Sequence, residues 1–399
     1  MVQTKTTDAP HTGAVTRSAV AGLAVARAGI AHLSHKVQTH ARAFTSSEAQ
    51  LQAARTQHEA ALGRILFTAL NQLKGTALKA AQLLSMELGF LPDSMRDELA
   101  RAHYQVTPLN RALVLKLMRQ EFGQGPQALY QHFDAHAFAA ASLGQVHAAT
   151  LANGEAVAVK LQYPGMAAAM GSDLSLLRSL LPAVCRSLDT QPSTRLIAQV
   201  MADIEHKLMQ ELDYLQEAEQ LIWFGQQLAS FAALVVPQPI MARTTRRVLT
   251  MQRLEGLHLN EWLATQPRQA ERDYFGQLLW DAFVHCTFTL RRLQADPHPG
   301  NYLFMADGRL GLLDFGCTHA LSEDFCAGLS TAWSALLRQP CATDTLQQAY
   351  VQMRLVAPSL SAHDFRTQLM PALAELQHWQ RLPLPSRSMT LHSTHRRRA

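Results

Sequence analysis

The chain lacks the marks of several common protein classes. Its 399 residues include five cysteines (Cys185, Cys286, Cys317, Cys326 and Cys341), an odd number with no C-x-x-C spacing. That argues against a disulfide framework or a zinc site and for reduced thiols in a cytosolic setting. No basic cluster is interleaved with aromatics, so nucleic acid is not an expected partner. No apolar run reaches the roughly twenty residues that a membrane-spanning helix needs. The first ten residues are mostly polar and Arg27 interrupts the small-residue stretch from Ala19 to Ala31. Neither a cleavable signal nor a membrane span is therefore expected there. Charged residues make up only 17% of the chain against 48% hydrophobic, with a net charge of +5. This composition excludes a mainly disordered chain. The modest positive balance suits a protein that meets anionic surfaces, such as nucleotide phosphates or acidic lipid heads.

The hydrophobic pattern divides the chain. From Arg17 to about His40 small apolar residues recur among Arg and His, the pattern of a weakly amphipathic helix that touches lipid, a partner or simply its own core. Residues 47–62 read as exposed helix, and Ile65 to Ala102 as two helices parted by a turn at Gly89 and Pro92. Ala112 to Phe133 is helical in pattern. Phe138 to Thr150 and Ala156 to Gln162 then alternate apolar and polar residues around Asn153-Gly154, a strong hairpin signal. Helical spacing returns from Asp173 to Trp223, followed by strands at Leu234–Pro237 and Arg247–Met251 and a hinge at Glu255-Gly256. The rest is helical apart from two motif-bearing segments and a hairpin at Asp307-Gly308. Beyond Gln380 a Pro-, Ser-, His- and Arg-rich tail reads as a solvated end.

The chemistry sits in a few places. Asp296-Pro297-His298-Pro299-Gly300-Asn301 sets an Asp five positions before an Asn, and Asp314-Phe315-Gly316 follows. Kinase-type catalytic lobes use this spacing for a base, a second metal ligand and the main Mg²⁺ ligand. Asp296 would orient a hydroxyl or water, Asn301 would offer its amide oxygen to a metal, and Asp314 would chelate Mg²⁺ through a hard carboxylate oxygen. Upstream, Ala156-Val157-Ala158-Val159-Lys160 ends on a lysine whose alternation turns it off the apolar face, where it could grip the α- and β-phosphates of ATP or ADP. Such a lysine wants a carboxylate from the next long helix. Glu211 and Glu217 are both available, and Glu217 is the favoured partner.

Where a protein kinase would carry G-x-G-x-x-G, this chain has Ala139-Ala140-Ala141-Ser142-Leu143-Gly144-Gln145-Val146-His147. Alanine is less permissive than glycine, so the backbone must approach phosphates differently. With Lys160-Leu161-Gln162-Tyr163-Pro164-Gly165 and the two motifs above, this loop resembles the UbiB/ADCK atypical kinases over roughly residues 65 to 330. The family's K-x-G-Q signature is matched by Lys79-Ala80-Ala81-Gln82, with Ala81 in place of Gly. Lys79 and Gln82 lie three apart and share a helix face.

The resemblance implies an α+β, protein-kinase-like fold of two lobes. The small N-lobe is rich in β-strand and the larger C-lobe is helical. An N-terminal helical extension packs over the active site. The corresponding divisions are 1–62 for the N-terminal segment, 63–135 for the extension, 136–255 and 256–380 for the lobes, and 381–399 for the tail. It assigns Lys79 and Gln82 to the catalytic gate and matches Glu211 and Asp213 to an E-x-D pair engaging Lys79. It places Ala139, Ala140, Ala141, Ser142, Lys160, Glu211, Asp213 and Glu217 around an ATP- or ADP-binding site with Mg²⁺. It also implies a role in the biosynthesis of ubiquinone, a prenylated quinone, with quinone-biosynthetic enzymes or a lipid-like quinone precursor as partners. The location implied is cytoplasmic, peripheral at the inner membrane. Because the extension blocks the groove a protein substrate would use, ATP hydrolysis or phosphorylation of a small lipid-like molecule is expected before protein phosphorylation. The alternative is a non-catalytic, nucleotide-responsive scaffold for quinone-biosynthetic proteins. An antibiotic-kinase type of small-molecule phosphotransferase shares the C-lobe logic but not the Ala-rich loop or the Lys79/Gln82 helix.

Overall fold

Leucine spacing and two breakers explain the first helices. In the computed structural model the described residues are 23–24, 26–27, 29–31, 47–73, 76–87, 91–100, 109–186, 192–338 and 341–381. The helix expected over residues 17–40 lies almost wholly outside them, as does the basic tail. Helix Glu48–Leu73 runs through the whole region expected to divide near residue 63, followed by helices Thr76–Glu87 and Asp93–Ala100. Its buried stripe of Leu62, Leu66 and Leu70 meets Leu84, Met95 and Leu99 from those two helices. The same core takes in Leu177 and Leu181 of helix Met166–Cys185 and Ile204 and Leu208 of helix Thr194–Glu211. Full burial of each such side chain stabilises by about 1.5–3 kcal/mol.

A four-stranded antiparallel sheet, ordered β1-β2-β3-β5, adjoins these helices in sequence. The strands are β1 (His132–Ala141), β2 (Gly144–Thr150), β3 (Ala156–Gln162) and β5 (Val248–Gln252), with the two-residue β4 (Leu234–Val235) between β3 and β5 in the chain. Lys160 pairs with Val146 on one side and Leu249 on the other. Helix Arg111–Phe122 covers one face: Val114, Leu117 and Met118 pack with Val157, Val159, Leu161 and Val248. Alternation therefore sends Lys160 to the opposite face.

Two local readings change. The helix expected to reach Phe133 stops at Phe122, because Gly123 takes the left-handed cap conformation and Pro126 starts a separate turn. The strand expected over 138–150 is really two strands folded at Ser142-Leu143. Gly144 makes that fold possible. A Cβ there would overlap the Leu161 carbonyl oxygen and stand 2.9 Å from the Tyr214 hydroxyl.

The chain divides into two units. The first comprises residues 1–218 and 239–253 and the second 219–238 and 254–399. Helix Tyr214–Gln227 begins in the first and ends in the second. Within the second unit, β7 (Tyr302–Phe304) and β8 (Leu310–Leu312) form a hairpin around Asp307-Gly308, and β4 pairs parallel with β8. The strands β6 (Arg292–Gln294) and β9 (Thr318–Ala320) pair antiparallel. Helices Glu323–Leu337 and Thr343–Gln352 pack on each other through Ala332, Leu336, Leu346 and Tyr350, with Phe365 beneath. The whole is a mixed helical and sheet architecture, as expected.

Candidate active site

The first unit assembles its charged side chains in pairs. Lys160 Nζ donates to both carboxylate oxygens of Glu217, at 2.8 and 2.9 Å. Both side chains are buried. Glu217 reaches β3 because it lies one turn into helix Tyr214–Gln227. Asp213 fixes the start of that helix, its Oδ1 accepting from the backbone N–H of Leu215 at 3.1 Å and of Gln216 at 3.4 Å. This is an N-cap, which the sequence signals by an Asp just ahead of an apolar-periodic run. Arg246 lies 3.7 Å from the same carboxylate.

Glu211 serves a different lysine. Lys79 Nζ is 2.9 Å from Glu211 Oε1, and both side chains are more than nine-tenths buried. The other oxygen, Oε2, accepts from Ser142 Oγ at 2.6 Å. One carboxylate thus joins helix Thr76–Glu87 to the turn after the alanine run. The resemblance gives Lys79 both Glu211 and Asp213; the ion pair with Glu211 is present, and Asp213 also caps the helix. The side chain of Gln82 lies outside the described residues.

Ala139, Ala140 and Ala141 close β1 in regular register with Val146, Gln145 and Gly144. The hairpin end is braced by a hydrogen-bond chain. The N–H of Leu109 donates to Gln145 Oε1 at 2.7 Å, and Gln145 Nε2 lies 2.6 Å from His147 Nε2. His147 Nδ1 lies 2.8 Å from the carbonyl of Asp134. The chain closes when the ring is neutral, with its proton on Nδ1. Burial agrees, pushing the His147 pKa below its ordinary value.

The second unit places its polar groups through backbone. Asp314 follows β8 directly, and its Oδ1 accepts from the Gly316 N–H at 2.8 Å. Gln294 Nε2 donates to the Asp314 carbonyl. Asn301 Nδ2 donates to the Asp296 carbonyl at 2.9 Å, and the Asn301 carbonyl accepts from Leu313 N–H at 2.9 Å. Asp296 and Asn301 are thereby tied across their loop, and Asn301 is tied to the segment carrying Asp314. Phe315 is buried against Phe224, with ring centroids 4.4 Å apart. Asn301 spends its amide N–H on a carbonyl, which leaves its Oδ1 as the donor atom for a cation. An amide oxygen with an Asp carboxylate is a hard oxygen set that fits Mg²⁺, an ion that completes its shell with water and phosphate.

The match to known proteins follows this layout. The ABC1 atypical kinase-like domain matches residues 101–343. The chain belongs to that family. The likeness of the Ala-rich loop and its companion motifs to the UbiB/ADCK kinases is therefore correct. Among curated relatives, the yeast Saccharomyces cerevisiae "Atypical kinase COQ8, mitochondrial" is 32% identical over 259 residues, covering 64% of this chain and 50% of that protein. The uncharacterized protein sll0005 of Synechocystis is 31% identical over 313 residues, covering 77% of this chain and 44% of its own. The chain thus spans half or less of these relatives' length. Among solved structures, that of Rv3197 with erythromycin, from Mycobacterium tuberculosis, aligns with a TM-score of 0.57 and 25% identity, covering 85% of this chain and 83% of that one. The shared ground is a kinase-like domain.

Sequence reasoning missed three contacts: that of Ser142, itself an expected site residue, with Glu211, that of Gln294 with the Asp314 carbonyl, and that of the Tyr214 ring with Lys160. It also missed the N-cap role of Asp213, which carried a readable signal.

Proposed function

We propose that this chain is a UbiB-type atypical kinase or ATPase that binds Mg²⁺ with ATP or ADP and supports ubiquinone biosynthesis at a membrane surface. The observation that carries the reading is the buried, two-pronged Lys160–Glu217 pair, at 2.8 and 2.9 Å. A lysine held this way by a helix carboxylate is the phosphate-gripping arrangement of kinase-type sites.

Phosphoryl transfer asks the protein mainly for positioning and charge. In this reading Lys160 holds phosphate oxygens, while Asp314 and Asn301 hold Mg²⁺, which neutralises phosphate charge when bound. Asp296 accepts the proton of the attacking hydroxyl or water. The bond from the γ-phosphorus to the bridging oxygen of the departing ADP breaks as the new P–O bond forms. Lys79, joined through Glu211 to Ser142, links the helix before the sheet to the phosphate-side turn and acts as a gate. The quinone role rests on the family and on relatives named COQ8; membrane contact is part of the same proposal. No described helix is long and apolar enough to cross a membrane.

Thermal stability with and without Mg²⁺-ATP and Mg²⁺-ADP tests this. A ligand that binds only the folded state must raise the melting point by mass action. A metal-dependent rise in the wild type that Asp314→Asn removes is expected. No rise in a well-folded wild type overturns the nucleotide reading, whereas a rise without nucleotide turnover favours the non-catalytic scaffold.

A further inference from the structure

Lys160 is held by more than Glu217. Tyr214 is 1% exposed and sits three residues before Glu217 on one helix, so both side chains leave the same face. The Lys160 ammonium stands 5.0 Å from the centroid of the Tyr214 ring. An ammonium has three N–H donors. Both oxygens of Glu217 receive donors from it, and an aromatic π-face lies against it on another side. In a site this dry, a ring face attracts the cation more strongly than it would in water. The same tyrosine reaches the phosphate-side turn: its hydroxyl stands 2.9 Å from where a Cβ at Gly144 would lie. Tyr214 therefore touches both groups that a nucleotide's phosphates would meet in this unit, the lysine and the turn after the alanine run.

We infer that Tyr214 is a positioning residue for Lys160, its ring fixing where the ammonium stands beside Glu217 and how it meets a phosphate. This deepens the reading of Lys160 as a phosphate ligand and rests on it for its functional meaning. The contact itself does not. A purely structural tyrosine would fill volume, and any ring of similar size would do as well. A positioning tyrosine must act through the electron density of its face.

The test uses the full chain with Tyr214→Phe, Tyr214→Leu, and phenylalanine analogues carrying one, two or three ring fluorines at position 214. Fluorine drains the ring face while barely changing its shape. Two quantities are read: labelling of Lys160 by an amine-reactive ester in the absence of nucleotide, located by mass spectrometry, and the Kd for Mg²⁺-ATP. Tyr214→Phe should behave as wild type. Each added fluorine should raise Lys160 labelling and weaken Mg²⁺-ATP binding in step, reaching roughly three- to tenfold for three fluorines. Labelling that is flat across the fluorine series, with melting points unchanged, overturns the inference. A graded labelling response with no binding of Mg²⁺-ATP by wild type leaves Tyr214 positioning Lys160 and instead defeats the nucleotide reading. Loss of folding in Tyr214→Leu alone leaves the fluorine series to decide.

Discussion

The two units hold their chemistry by different means. In the first, side chains position one another: Lys160 with Glu217, and Lys79 with Glu211 and Ser142, all through buried or nearly buried contacts. In the second, the bonds described run to the main chain. Asp314 is bound to the Gly316 amide, and Asn301 to the Asp296 carbonyl, with these side chains half-buried. Buried ion pairs draw their stability from both partners, and removing one strands the other in a poor solvent. Backbone-held carboxylates are aimed by the loop and spend little of the fold's stability on that aim. Side chains of the first unit should thus matter to folding as well as function, and those of the second to function alone.

Glu217→Ala should give the largest effect, lowering stability by about 3–5 kcal/mol because it leaves the Lys160 ammonium buried without its carboxylate. Chemical denaturation measures this, and adding Lys160→Met to remove the stranded charge should recover much of the loss. Asp314→Asn should leave the melting point nearly unchanged while cutting Mg²⁺-dependent nucleotide turnover by at least about a hundredfold. If that variant unfolds instead, the contrast between the units fails. Smaller still, Lys79→Ala should change the preference between ATP and ADP by roughly fivefold, a modest coupling between gate and site. Equal ratios of the two affinities before and after would remove Lys79 from the gate.

The smallest effect concerns His147. Its folded pKa is held down by burial, so the unfolded chain takes up the proton first as pH falls. Stability from this group is intact above the ordinary histidine value of about 6.5 and drains away below it, toward the lower folded pKa. His147→Asn should flatten the fall of stability below about pH 6.5 by no more than one proton's worth. Stability curves that stay parallel through this window would mean the His147 ring takes its proton without cost.

Much of this was legible in the residues. Alternation in Ala156–Lys160 sets Lys160 off the apolar face, and the helix carboxylate it needed proved to be Glu217. The Asp296, Asn301 and Asp314 segments lie in loops beside short strands, where their order alone placed them. The turn at Ser142-Leu143 was hidden because Ala139–Leu143 carries neither a proline nor an Asn-Gly or Asp-Gly pair to mark a hairpin. Contacts from elsewhere, the Leu161 carbonyl and the Tyr214 hydroxyl, give Gly144 its purpose. Helix Glu48–Leu73 read as exposed over its first half because its leucine stripe is thin, and its buried face is defined by partners over thirty residues away, such as Met95 and Leu99. Asp213 shows the opposite case. Its spacing from Glu211 matched a family pair, while its local chemistry, an acid before a helix, already described what it does.

The central claim is that the buried Lys160–Glu217 pair holds the phosphates of a nucleotide. Calorimetric binding of Mg²⁺-ATP to wild type and Lys160→Gln tests it directly, each checked for folding by circular dichroism. The account predicts that wild type binds and that Lys160→Gln, still folded, binds at least about tenfold more weakly, the loss of one charged hydrogen bond. No binding by a well-folded wild type, or wild-type affinity in Lys160→Gln, would contradict it.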